Sequence, residues 1–373
     1  MRAHYSCFGS YTAYTRDTNL KPELGIIEGF YGKPWDWGAR KESVSFLAPY
    51  GYRFYMYAPK ADVFLRRRWQ EPHPEAYAKQ MESFAAHCRD IGVRFGVGLS
   101  PYELFNSFDD ESRASLGKKL EFFDSIGAED VAILFDDMRG DVPDLARKQI
   151  EIIHWVAERT KASRVITCPS YYSDDPILDR VFGTRPADYL EELGNDLQPD
   201  IEIFWTGEEV ISRQFSRGHL ERVTALLQRK PFLWDNYPVN DGQRMSQYLH
   251  LRGFTGRPSA NANHLSAHGI NPALQSTLGR IPAITLSDSY RLGDDYQYAD
   301  SFRHACYEVL GTDLGEMVRD DLLTLQDIGL DRLGEKEKLL RSRYEGVDHS
   351  GAREIIAWLD GEYKITDEIV QTQ

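Results

Sequence analysis

Short runs of β-branched and aromatic residues recur along the chain, and each gives way to a stretch with helical spacing. The runs begin at Leu24 (LGIIEGF), Tyr52 (YRFYMYAP), Arg94 (RFGVGLSP), Val131 (VAILFDD), Arg164 (RVITCPS), Ile201 (IEIFWTG), Pro231 (PFLWDNY) and, with a weaker pattern, His268 (HGINP). Nearly continuous apolar runs, rather than alternating ones, are what strands covered on both faces require. Intervening segments such as AYAKQMESFAAHCRDIG and LARKQIEIIHWVAERT instead place apolar residues every three or four positions. Eight strand–helix units with no internal sequence repeat predict an α/β fold, a (β/α)8 TIM barrel over residues 24–290. An open, doubly wound sheet is the competing arrangement. The first strand–helix turn lacks the G-x-G-x-x-G fingerprint of that class, so the barrel is preferred.

Past Tyr290 the pattern becomes helical throughout. Leu314, Met317, Val318, Leu322, Leu325 and Ile328 fall at helical spacing and predict an amphipathic helix packed on a neighbour. Residues 291–373 carry 10 Lys or Arg against 19 Asp or Glu, so most of the chain's net charge of −14 lies there. They are expected to form an acidic helical appendage with a structural role, and residues 1–23 receive no assignment. The balance of 42% hydrophobic and 27% charged residues excludes a disordered or collagenous chain. No run approaches the roughly 18 apolar residues that a bilayer crossing takes. Net acidity argues against nucleic acid as the main partner, since a phosphate backbone calls for clustered cations. The run Arg66-Arg67-Arg68 is basic, but three charges read as a solvated face. Four cysteines (Cys7, Cys88, Cys168, Cys306) form no CxxC, the first twenty residues hold no apolar signal core, and no Asn-x-Ser/Thr acceptor occurs. A reducing, cytoplasmic setting with free thiols is expected. The histidines suggest no metal site, and no cofactor is expected.

The chemistry of a barrel sits where the C-terminal strand ends converge on one mouth. Here those ends are Glu28-Gly29-Phe30-Tyr31-Gly32, Ala58-Pro59-Lys60, Phe135-Asp136-Asp137, Pro169-Ser170-Tyr171-Tyr172, Trp205-Thr206-Gly207, Trp234-Asp235-Asn236-Tyr237 with Asn240-Asp241 shortly after, and Asn271-Pro272. Carboxylates, amides, a lysine and aromatic rings arranged in a ring suit a carbohydrate: sugar hydroxyls bond to Asp and Asn, and sugar C–H faces lie on Trp and Tyr. Each element also has an ordinary reading. Paired Asp after a strand can cap a helix, Lys60 can be a surface charge, and Trp205 and Trp234 can be core. Asn236 and Asn271 can be turn residues, and Gly29 and Gly32 can serve only positive φ. Their coincidence on matched strand ends favours a site.

These residues resemble glycoside hydrolase family 84, the O-GlcNAcase and hyaluronidase-like β-N-acetylglucosaminidases. The matching stretches are GIIEGFYGKPW (25–35), YMYAPKAD (55–62), LFDDM (134–138), TCPSYY (167–172), FWTGEEV (204–210), WDNYPVND (234–241) and INP (270–272), in the family's order. The resemblance implies a retaining enzyme that removes β-linked N-acetylglucosamine (GlcNAc), with O-GlcNAc on Ser or Thr of proteins as the expected substrate. It implies substrate-assisted catalysis, in which the sugar's own 2-acetamido oxygen attacks the anomeric carbon to give an oxazoline. Asp136 would hold the acetamido N–H and stabilise the developing charge, and Asp137 would serve as general acid and then base. Gly29, Lys60, Asn236, Asp241 and Asn271 would bind the sugar hydroxyls, with Asp241 at O4 and O6. Tyr172 and Trp234 would shape the pocket around the acetamido methyl.

Tyr171 stands where many relatives have Glu, and Tyr237-Pro238 lies within the WDN motif, which bears on the preference for the group attached to the sugar. Family 18 barrels would show DxxDxDxE on the fourth strand, and family 20 enzymes Asp-Glu in place of Asp136-Asp137. A metal-dependent barrel hydrolase would want His at other strand ends. A hyaluronidase-like or glycan-processing hexosaminidase and a catalytically silent GlcNAc-binding barrel are the alternatives. Should Asp137 not be the acid, Glu28 and Asp235 are the other strand-end carboxylates. The sequence assigns no oligomeric state.

Overall fold

A computed structural model describes residues 22–366. Cys7, the lack of a signal core and all but the end of the unassigned N-terminal segment therefore lie outside the described residues. Eight strands run β1 (Glu23–Glu28), β2 (Tyr52–Tyr57), β3 (Arg94–Leu99), β4 (Asp130–Leu134), β5 (Arg164–Cys168), β6 (Glu202–Trp205), β7 (Phe232–Asp235) and β8 (Ala267–Ile270). Each starts within one residue of the position read from the sequence. Every strand pairs in parallel with its sequence neighbours, and β8 returns to β1 with Leu24 opposite His268, so the sheet closes into a barrel.

The helices are α1 (Trp37–Leu47), α2 (Glu75–Asp90), α3 (Asp110–Ser125), α4 (Leu145–Ala157), α5 (Pro176–Phe182), α6 (Tyr189–Asp196), α7 (Arg217–Leu227), α8 (Arg280–Leu292), α9 (Tyr298–Leu310), α10 (Thr312–Leu323), α11 (Glu335–Tyr344) and α12 (Ser350–Leu359). Several start at a residue that satisfies the free N–H groups of the first turn. Asp36 accepts from the Ala39 N–H, Asp109 from Ser112 and Ser216 from His219. Two connections depart from the regular strand–helix alternation. Two short helices, α5 and α6, bridge β5 and β6. Between β7 and β8 the chain forms only 3-10 turns, at Met245–Gln247 and Ser259–His264. Gly253, Gly256 and Pro258 break helix propagation there.

Charged residues at the strand starts close the floor of the barrel. Arg94 forks onto Glu23 at 2.6 and 2.7 Å, and Arg164 reaches Asp130 at 2.6 Å and Glu202 at 3.4 Å. Above them Phe54, Phe204, Phe232 and Trp234 pack edge to face, with centroids 4.7 to 5.2 Å apart. Ion pairs at the N-terminal face and a packed aromatic layer leave the C-terminal mouth for chemistry.

The tail helices pack in succession on the last barrel helix. Helix α8 is buried along most of its length, α9 packs on it, and α10 packs on α9. Leu314 and Val318 are buried on α10 as its spacing predicts, but α10 stops at Leu323. Leu325 and Ile328 lie on a wider π-helical turn (Thr324–Ile328). From that turn the Leu325 carbonyl accepts from the Leu249 N–H at 3.1 Å, and Gln326 Oε1 accepts from Leu251 and Arg252 at 2.9 and 2.8 Å. Among the described residues no helix is long and apolar enough to cross a membrane.

Candidate active site

A cleft of about 550 Å³, part of it open to solvent, lies at the C-terminal mouth. All nine residues singled out from the sequence line it: Gly29, Lys60, Asp136, Asp137, Tyr172, Trp234, Asn236, Asp241 and Asn271. Tyr31, Cys168, Thr206, Val210 and Val239 complete the wall.

The two aspartates follow β4 directly. Strand pairing continues one residue past its end, since the Phe135 N–H donates to the Cys168 carbonyl at 2.9 Å. Asp136 Oδ2 accepts from Lys60 Nζ in a buried ion pair, and Lys60 Nζ also stands 3.9 Å from Asp137 Oδ2. Asp136 Oδ1 is buried and has no hydrogen-bond partner among the described residues. A buried carboxylate oxygen without a donor is costly to maintain, so its place in a cleft is notable. Asp137 adopts a left-handed backbone at φ +58, a region that costs most side chains energy but that Asp tolerates. Its Oδ2 accepts from the Tyr31 hydroxyl at 2.7 Å and its Oδ1 from the Tyr172 hydroxyl at 3.3 Å. Burial, followed by the charges of Asp137 and Asp136, pushes the Tyr172 hydroxyl well above the usual phenol range, so it stays a donor.

The opposite wall is an amide chain. The Gly29 N–H donates to Asn271 Oδ1 at 3.3 Å, Asn271 Nδ2 to Asn236 Oδ1 at 3.0 Å, and Asn236 Nδ2 to the Val210 carbonyl at 2.9 Å. Asp241 Oδ2 accepts from the Tyr31 N–H at 2.8 Å. Its neighbour Asn240 anchors the loop, donating to the Tyr248 carbonyl and to Gln275 Oε1 at 2.9 Å each. The two glycines separate cleanly. Gly32 turns at φ +92, whereas Gly29 is required by packing: a Cβ there would lie 2.1 Å from Trp234 Cζ2. Trp234 thereby packs flush with the β1 end, with Lys60 Nζ 6.0 Å from its ring centre.

Several expectations need correction. Glu28 is sealed by a two-point bond to Arg40 (2.8 Å each) and the Tyr55 hydroxyl at 2.5 Å. Asp235 is sealed by Arg257 at 2.8 and 2.9 Å and by His268 at 3.0 Å. Neither lines the cleft, so both are structural anchors and not reserve acids. Arg66 is not part of a solvated face. It is buried and donates to the Tyr31 hydroxyl at 2.8 Å and to the Asp137 carbonyl at 3.2 Å, while Arg68 does extend outward to Glu71. Trp205 is core, with its indole N–H on His219. His264 and His268 share an HxxxH spacing but form no metal pair, because His268 is locked between Asp235 and Tyr290. Cys168, at the end of β5, went unassigned in the sequence. Burial and the nearby Asp136 charge raise its thiol well above the ordinary range, so it is a neutral wall residue. Cys88 and Cys306 are likewise buried and free.

The fold is a closed parallel α/β barrel whose fourth strand ends in adjacent aspartates, faced across the mouth by an amide wall and an indole. A family model for β-N-acetylglucosaminidase matches residues 24–327. The chain belongs to that family, the glycoside hydrolase family 84 that its motifs resemble. It is 27% identical over 276 residues to Protein O-GlcNAcase of Mus musculus and of Rattus norvegicus, a match covering 72% of this chain and 30% of each relative. The chain thus spans under a third of the length of those relatives. It is also similar to a solved mutant of Thermobaculum terrenum O-GlcNAc hydrolase, with 27% identity and a TM-score of 0.77. That match covers 92% of this chain and 82% of the other.

Proposed function

We propose that this protein is a retaining β-N-acetylglucosaminidase that removes GlcNAc from Ser and Thr of proteins by substrate-assisted catalysis. The observation that carries the reading is Asp136: one oxygen is held by Lys60 and the other is a buried acceptor with no donor in a cleft lined for a sugar. A 2-acetamido N–H supplies the donor that Oδ1 lacks. With that N–H held, the acetamido oxygen attacks the anomeric carbon, and the carboxylate stabilises the positive charge that develops on the oxazoline. As the glycosidic C–O bond breaks, Asp137 gives its proton to the leaving oxygen. In the second step Asp137 takes a proton from water, the oxygen of that water bonds to the anomeric carbon, and the oxazoline C–O bond returns its electrons to the acetamide. Ordinary retaining glycosidases set two carboxylates about 5–5.5 Å apart across the sugar, one of them a nucleophile. Here the pair are chain neighbours on one strand end, which suits the substrate-assisted exception.

In this reading Asp241, Asn236, Asn271, Gly29 and Lys60 hold sugar hydroxyls, and Tyr172 and Trp234 enclose the acetamido methyl. Residues 24–290 are the catalytic unit, and residues 291–373 support it. Three buried, unpaired thiols support a reducing, cytoplasmic setting. The test is hydrolysis of an aryl β-GlcNAc glycoside, followed by release of GlcNAc from a Ser-linked glycopeptide and from hyaluronan. Turnover of the aryl glycoside and the glycopeptide, with hyaluronan untouched, is expected. Binding without turnover would make the protein a silent sugar-binding barrel, and preference for hyaluronan would reassign the substrate.

A further inference from the structure

Arg66 is a buried guanidinium without a direct carboxylate partner among the described residues. Its Nη atoms donate to two neutral acceptors, the Tyr31 hydroxyl at 2.8 Å and the Asp137 carbonyl at 3.2 Å, and its Nε is buried with no acceptor. Burial works against this charge, and the nearby charges of Asp137 and Asp136 help to offset it, so the guanidinium is tied to the catalytic pair and its two contacts call for a role. The loop that carries it is held rigidly. Lys119 Nζ donates to the Phe64 and Glu71 carbonyls at 3.1 and 2.6 Å, and the Ser100 N–H donates to the Leu65 carbonyl at 2.8 Å. Tyr31 passes the contact on, its hydroxyl donating to Asp137 Oδ2 at 2.7 Å while its ring lies 5.7 Å from the Arg66 guanidinium. Burial, then the charge of Asp137, raises the Tyr31 hydroxyl well above the usual phenol range, so the proton stays on tyrosine.

We propose that Arg66 and Tyr31 are positioning residues for proton transfer, fixing Asp137 Oδ2 as the more tightly held acceptor, so that Oδ1, which takes only the longer 3.3 Å bond from Tyr172, carries and delivers the proton. Arg66 acts twice, polarising the Tyr31 hydroxyl that grips the carboxylate and holding the carbonyl of a residue whose backbone is left-handed. The inference rests on the reading of Asp137 as general acid. A general acid displaced by a fraction of an ångström loses rate in proportion to how much the leaving oxygen needs its proton.

The test is kcat/KM for a series of aryl β-GlcNAc glycosides, from dinitrophenyl to unsubstituted phenyl, with the wild type, Tyr31→Phe, Arg66→Lys and the double variant. Tyr31→Phe should slow the phenyl glycoside by about 10–100-fold and the dinitrophenyl glycoside several times less, steepening the leaving-group dependence. Arg66→Lys, which keeps the charge but loses the fork, should steepen it in the same direction by less. The double variant should lose more than Tyr31→Phe alone but clearly less than the product of the two single losses, because part of the Arg66 effect passes through the Tyr31 hydroxyl and part through the Asp137 carbonyl. Equal slowing across the series, an unchanged slope or additive losses would overturn the proposal. Tyr31→Phe is isosteric, and should it still fail to fold, Arg66→Lys on the same series makes the same discrimination. A wild type that cleaves none of the series refutes the glycosidase reading itself, an outcome distinct from an unaltered slope in the variants.

Discussion

In the proposed mechanism Asp136 meets two demands that conflict in a buried position: a carboxylate that serves as a charge, and one oxygen left free for the substrate. Lys60 meets the first by pairing with Oδ2 inside the cleft, and the second is visible in Oδ1. Asp136→Asn keeps the shape while removing the charge that is proposed to stabilise the oxazoline. The expected result is a fall in kcat of about 10²–10³-fold on an aryl β-GlcNAc glycoside, the size seen when one preorganised electrostatic group is lost. Undiminished turnover would reduce Asp136 to a counter-ion for Lys60. At this scale the residues legible in the sequence were those that directly follow an apolar run, because a strand's end fixes where its next side chains go. Val210 and Val239 reach the cleft, and Arg66 reaches the Tyr31 hydroxyl and Asp137 carbonyl behind it, through loops that fold back on the barrel, which apolar periodicity alone does not announce. Arg66 in particular shares its sequence surroundings with the outward Arg68, and only the placement of Tyr31 distinguishes them.

Among the elements, the connection from β7 to β8 carries Asn236 and Asp241 without a helix to stiffen it. Its rigidity comes from buried polar contacts, including the His250 Nδ1–H donated to the Pro238 carbonyl at 3.0 Å. Burial brings the His250 imidazole down to about 4, against the pull of its backbone acceptors. The unfolded chain, with an ordinary histidine near 6.5, therefore binds a proton that the folded one refuses. Stability from this group is full above about pH 6.5 and is lost as pH falls toward about 4, by up to about 3 kcal/mol. His268 is lowered by burial as well and acts in the same direction, so the contribution of His250 is read by difference. Urea unfolding at pH 7.5 and pH 5 should show a smaller acid loss for His250→Gln than for the wild type. An equal loss in both would show that His250 does not set the acid sensitivity. The sequence showed β7 and β8 but implied a helix between them, and Gly253, Gly256 and Pro258 are the residues that deny it.

For the molecule as a whole, the tail contacts the barrel through a buried carboxylate. Glu354 on α12 accepts from the Thr277 and Leu278 N–H groups at 2.9 Å each and from the Ser276 hydroxyl at 3.1 Å, pinning the segment that leads from Asn271 into α8. Glu354→Ala strands these donors and should cost about 2–4 kcal/mol in chemical denaturation, a penalty set by unsatisfied buried N–H groups and not by charge. A loss below about 0.5 kcal/mol, the range of ordinary surface substitutions, would show that the tail is not needed to hold the barrel. The helical spacing of residues 314–328 made α10 legible, but not its end at Leu323 or the π turn that docks on the Leu249–Arg252 segment. Those depend on which loop the turn meets, a tertiary fact.

In the proposed mechanism the substrate's own acetamido group is the nucleophile. This is tested most directly by following an aryl β-GlcNAc glycoside and its 2-hydroxy counterpart, the aryl β-glucoside, by NMR and recording both the rate and the first-formed anomer. Rapid turnover of the GlcNAc glycoside with the β-anomer released first, and an essentially inert glucoside, are expected. Comparable hydrolysis of the two, or an initial α-anomer, would contradict that mechanism.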